Sequence, residues 1–68
     1  MREYQVWLPG WRELDPTIHP KTNDRMVVIA ELRRHEGRAR YVTVWDAGRY
    51  VGNMMFRAGQ NVTLGDFE

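Results

Sequence analysis

The side chains best suited to chemistry in this chain are two histidines, a pair of loop carboxylates and a set of arginines. His19 and His35 stand apart, His19 among prolines and His35 beside a turn. Neither has a third ligand at a metal-site spacing. Glu13 and Asp15 flank Pro16, with no pattern around them that would build a pocket, so a solvated loop is the simpler reading. The chain has no serine and no cysteine. That removes the two commonest nucleophiles, and with cysteine go disulfides and thiolate zinc patterns. Gly48-Arg49-Tyr50-Val51-Gly52 has the glycines of a turn and strand rather than of a phosphate-binding loop. The residues therefore lead to the expectation of a protein that is not an enzyme, with no catalytic residue, metal, cofactor or small-molecule substrate.

What remains is binding chemistry. Nine of the ten basic residues are arginine, whose planar guanidinium donates to phosphate or carboxylate in several directions at once. Codon usage in a GC-rich genome would give the same bias. The net charge is only +1, yet Arg33 to Arg57 carries six arginines against Glu36 and Asp46. Arg33, Arg34, Arg38 and Arg40 crowd around His35 and Glu36-Gly37. They mark either a solvated tip or an anion-binding one for phosphate or an acidic protein surface. Trp7 and Trp11 bracket Pro9-Gly10 and are the aromatics expected to be exposed. Trp and Arg are common anchors of protein interfaces. The predicted partner-binding residues are thus Trp7, Trp11, Arg33, Arg34, Arg38 and Arg40. Tyr41 and Trp45 next to Arg40 resemble a stacking platform with a basic rim, although the pairing described below assigns both to the core.

These residues need elements to hold them. Sixty-eight residues make one domain, 1–68, with a thin core. Hydrophobic content of 43% is globular rather than disordered. No apolar run is long enough to span a bilayer, and the start lacks a signal-peptide core. The expected location is the cytoplasm.

Strands are predicted at 4–8, 25–33, 40–45, 50–56 and 61–64, with turns at Glu36-Gly37, Ala47-Gly48 and Ala58-Gly59. Between the first two lies a long Pro-containing loop, 9–24, in which Trp11 to Leu14 could form a helical turn. A helix over 47–58, capped by Asp46, competes with the last hairpin. It would have to hold Gly48 and Gly52, each costing about 1 kcal/mol relative to alanine, so the hairpin is preferred. The predicted fold class is all-β or mainly β, a small antiparallel five-stranded meander, with an SH3-like or OB-like partial barrel as one way to close it.

The register places Leu32 opposite Tyr41, Ala30 opposite Thr43 and Val28 opposite Trp45. The next hairpin places Trp45 opposite Tyr50, Thr43 opposite Gly52 and Tyr41 opposite Met54. One face then gathers Met26, Val28, Ala30, Leu32, Tyr41, Trp45, Tyr50, Met54 and Phe56. The other gathers Val27, Ile29, Val42, Val44, Val51 and Met55, with Val62 and Leu64. Two apolar faces are more than an exposed antiparallel sheet should show. Barrel closure, the 9–24 segment or another chain must cover the second.

Function follows as a set of expectations. The first is a small non-catalytic protein acting by stoichiometric protein–protein contact, in the manner of a phage or mobile-element accessory or inhibitor protein, with a protein partner or a homodimer. The second is a nucleic-acid-binding β-domain using the Arg-rich segment 33–40, against which the near-zero net charge counts. The third is a structural subunit that adds its free strand edges to neighbouring sheets.

Overall fold

The computed structural model describes residues 1–8 and 21–67. The aromatic and β-branched run near the start forms strand β1 (Arg2–Trp7). Residues 40–46 and 49–56 form β2 (Arg40–Asp46) and β3 (Arg49–Phe56). The three make one antiparallel sheet in the order β1-β2-β3. Strand β2 is central and pairs Tyr4 with Val44 and Val6 with Val42 on one side.

The segment expected to be the second strand is a helix, α1 (Arg25–Arg34). The five-stranded all-β meander is therefore corrected to three antiparallel strands and one substantial helix among the described residues. With it go the Glu36-Gly37 hairpin and the pairings of Leu32 with Tyr41, Ala30 with Thr43 and Val28 with Trp45. The reasons are local and tertiary. Asp24 has extended backbone angles, and its carboxylate accepts the Met26 N–H at 3.0 Å, which satisfies a donor left open by the first helical turn. Arg33 and Arg34 lie in the last turn, where positive charge opposes the helix dipole. Val28, Ile29 and Leu32 are buried while Met26, Val27 and Ala30 are exposed. That is a helical spacing, where a strand would have split Val28 from Ile29. Burying a Val, Ile or Leu side chain contributes about 1.5–3 kcal/mol. The helix penalty of β-branched residues is only about 0.7 kcal/mol each, so packing prevails.

The hairpin at Ala47-Gly48 is present in place of the rival helix over 47–58. Both turn residues have positive φ, 52° and 78°, the geometry that matches the twist of the flanking strands. Asp46 pairs with Arg49 and Trp45 with Tyr50 as the two-residue turn predicts. Beyond them the register slips at Val51, so that Val44 faces Gly52, Thr43 faces Asn53 and Tyr41 faces Met55. The expected opposition of Thr43 to Gly52 and Tyr41 to Met54 is off by this one bulged residue. The turn at Ala58-Gly59 is also found, closed by the Gln60 N–H on the Arg57 carbonyl at 3.0 Å. No strand follows it. Residues 61–63 have no regular structure, and a short 3-10 helix (Leu64–Phe67) ends the described chain.

The bulge and the helix together reassign the faces. Val42, Val44 and Phe56 face α1, with Tyr4, Val28, Ile29, Leu32, Val62 and Phe67 completing the core. Phe67 packs edge-on against Tyr4, with ring centroids 5.4 Å apart, and against Phe56 at 6.1 Å. Tyr41 and Trp45 are not part of that core. They lie on the face turned away from α1. The expected problem of two apolar faces is thus halved, because the segment expected to enlarge the sheet instead covers one of its faces. The loop expected over 9–24 falls mainly outside the described residues. Within the part described, Thr22 bridges Tyr4 on the outer edge of β1 through two backbone hydrogen bonds, of 2.8 and 3.0 Å.

Candidate functional site

The arginines expected to form a basic tip are distributed by the helix exit. Arg40 begins β2 and is only 1% exposed. Its guanidinium meets four main-chain carbonyls. Nε donates to Arg38 at 2.9 Å, one terminal nitrogen to Leu32 at 2.7 Å, and the other to Arg57 at 2.7 Å and Gln60 at 3.0 Å. The Leu32 carbonyl belongs to the last turn of α1, where the dipole is negative and the His35 N–H, at 3.3 Å, is its backbone partner. Arg40 is thus a clasp that ties the helix end to the 57–60 turn. The Gly59 N–H, which reaches the Glu36 carbonyl at 2.7 Å, fastens the same junction. Arg33 adds a bond from Nε to the Val62 carbonyl, 3.1 Å. Arg34 pairs with Glu31 at 2.6 Å, and Glu31 also lies 3.4 Å from His35 Nε2. Of the four arginines only Arg40 is buried; Arg33, Arg34 and Arg38 are exposed, and Arg33 and Arg34 have partners within the chain.

Trp7 is buried rather than exposed. Its ring stacks on Tyr41 with centroids 5.8 Å apart, and its Nε1 donates to the Thr43 hydroxyl at 2.8 Å. Trp45 donates in the same way to Gln5 Oε1 at 3.0 Å, and Lys21 Nζ sits 3.8 Å above its ring, a cation–π contact. Gln5 and Thr43 are both buried. The half of this face nearest β1 is therefore a packed, hydrogen-bonded layer. Trp11, the remaining predicted partner-binding residue, lies outside the described residues, as do His19, Glu13 and Asp15.

The half nearest β3 is different. Tyr50, Val51 and Met55 are 56%, 57% and 70% exposed. Tyr50 touches the edge of Trp45, and Met55 stands opposite Tyr41 in register. Both thus belong to the face turned away from α1. Arg49 opens the strand and Arg57 follows it. Both are exposed, and among the described residues neither forms an ion pair. Strand β3 is last in the sheet order, and no backbone bond is made on its outer edge among the described residues. An unpaired edge beside an apolar patch is what a soluble domain ordinarily avoids, so this strand is the candidate binding surface. A shallow depression of about 390 Å³ beside it is lined by Asp46, Ala47, Arg49, Tyr50 and Val51.

Sequence reasoning missed this strand as a site because it assigned Tyr50 to the core and gave β3 a neighbour at 61–64. The usable signal was the charge pattern, a basic residue at each end of an uncharged run from Tyr50 to Phe56. Among the described residues no three His, Cys, Asp or Glu side chains gather in a way that would hold a metal. No described helix is long and apolar enough to cross a membrane. No protein-family model matches the chain, and neither a curated protein nor a solved structure does.

Proposed function

We propose that this chain is a non-catalytic binding protein that acts by stoichiometric contact with another protein, through the exposed side of β3. The observation that carries the reading is the exposure of Tyr50, Val51 and Met55 on one edge strand. Large apolar side chains grouped in this way gain free energy only when something covers them, at roughly 25 cal/mol per Å² of apolar surface removed from water. The basic segment 33–40 supports a nucleic-acid reading less well, because Arg40 is buried and Arg34 is held by Glu31.

The test is a complex of defined composition. The tagged chain, expressed in its native host and purified in 0.5 M salt, is expected to bring down a protein at a fixed molar ratio by light scattering. The Tyr50→Asp, Met55→Asp double variant should lose it, and Val27→Asp on the exposed side of α1 should keep it. Retention by the double variant, or nucleic acid in place of protein, would overturn the reading.

A further inference from the structure

Building on that reading, we infer that the partner supplies an extended acidic segment, which pairs with the outer edge of β3 as a fourth strand. Three observations lead there. Among the described residues nothing pairs with this edge, so its backbone donors and acceptors can continue the ladder. The side chains beside it are apolar and exposed, so alternate residues of an added strand would find apolar neighbours on the face turned away from α1. The charge is of one sign, with Arg49 and Arg57 at the two ends and no carboxylate from Ala47 to Gly65. The carboxylate opposite Arg49, that of Asp46, lies 3.6 Å from the Met1 ammonium.

Charge also decides between occupants. If β3 paired with a second copy of itself about a two-fold axis, Arg49 of each copy would lie beside Arg57 of the other. Like charges placed together across strands destabilise the pair. An acidic segment meets the same two arginines with opposite charge. At roughly 3.3 Å per residue, the eight residues of β3 span about 26 Å, so carboxylates near both ends of a segment of seven or eight residues come within reach. The bulge at Val51 interrupts the ladder. The regular stretch from Asn53 to Phe56 therefore carries the main-chain pairing, while Tyr50 and Val51 contribute side-chain contact.

The experiment uses the whole chain and a defined probe, the acetylated, amidated peptide Glu-Val-Thr-Val-Thr-Val-Glu, with binding followed by amide chemical shifts and hydrogen exchange. The expected result is saturable binding, with shifts and slowed exchange concentrated in Asn53 to Phe56. The Arg49→Glu, Arg57→Glu variant should bind at least tenfold more weakly and should prefer the peptide with lysine at both ends. Two further peptides carry N-methyl groups on alternate amides, one in each phase, and the phase that faces β3 should abolish binding. If both N-methylated peptides bind like the parent, strand addition is overturned while the apolar patch as a protein-binding surface stands. If Tyr50→Asp, Met55→Asp leaves every peptide unaffected, the patch itself fails. Absence of binding by the parent peptide overturns the inference and leaves the arginines and the bulge as guards against edge pairing.

Discussion

Arg40 and the exposed side of β3 break the ordinary placement rule in opposite directions. At one end of the sheet a charged side chain lies inside, and along the edge apolar side chains lie outside. The two are close, since Arg40 pairs with Phe56 in register and donates to the Arg57 carbonyl. The buried arginine is fully answered by structure, with four carbonyls around it. The exposed tyrosine, valine and methionine have no comparable answer within the described chain. An inversion satisfied internally is architecture, and one left open is the surface proposed above for a partner. By the same measure the two edges of the sheet differ. The outer edge of β1 is bridged by Thr22 and is flanked by buried Gln5 and Trp7, whereas that of β3 has no partner among the described residues.

This contrast can be broken most severely at Arg40. Replacing it by methionine keeps an unbranched, mostly apolar stem but removes the donors that meet four carbonyls; those of Leu32 and Arg57 keep the His35 and Gln60 N–H groups, while those of Arg38 and Gln60 lose the bond that Arg40 gave them. A buried polar group left unpaired costs about 1–3 kcal/mol, so the loss should reach about 3 kcal/mol or more. That is comparable with the whole stability expected of a domain this size. Urea titration should show a native state largely lost. A variant that unfolds like the parent would mean that the clasp is not structural.

A smaller effect is expected at the start of α1, where removal of the cap in Asp24→Ala should cost about 1 kcal/mol. That corresponds to a fall in melting temperature of about 4–8 °C, readable by circular dichroism. No change would argue that tertiary packing alone holds the helix.

The smallest effect on stability is expected on β3. Met55→Thr removes an exposed apolar group from a strand that tolerates threonine, so its melting curve should stay within about 0.5 kcal/mol of the parent. Its binding should nevertheless weaken at least fivefold in the titration with the glutamate-ended peptide. A large loss of stability with unchanged binding would reverse the contrast and make Met55 part of the architecture.

Three strands and the three turns were legible in the residues, although the turn at Glu36-Gly37 leads out of α1 and does not join two strands. β-Branched and aromatic runs bounded by Asp-Ala-Gly and Ala-Gly signals leave few other options. Helix α1 was misread because Met26 to Leu32 is a short apolar run. Its β-branched residues favour a strand, while its buried positions, Val28, Ile29 and Leu32, fit a helix. The deciding cue, Asp24 as a cap, is a single residue outside the run. The candidate site was legible only as chemistry. Arginine and aromatic side chains were recognised as the means of binding, but Trp7 and Arg40 are inside and Tyr50 and Met55 are outside. Which aromatic is buried depends on which strand is central, and this cannot be read along one strand.

The sequence by itself determined the chemical repertoire: no serine or cysteine, an excess of arginine, and enough apolar residues for one thin core. It also determined the local turns, because positive φ and strand periodicity are properties of a few neighbouring residues. The tertiary structure decided which arginine became a clasp and which strand became an open edge. Both depend on α1 covering one face of the sheet and on the chain turning into a 3-10 helix after Gln60 instead of adding another strand. Those outcomes rest on contacts between residues distant in the chain, and local propensity does not contain them.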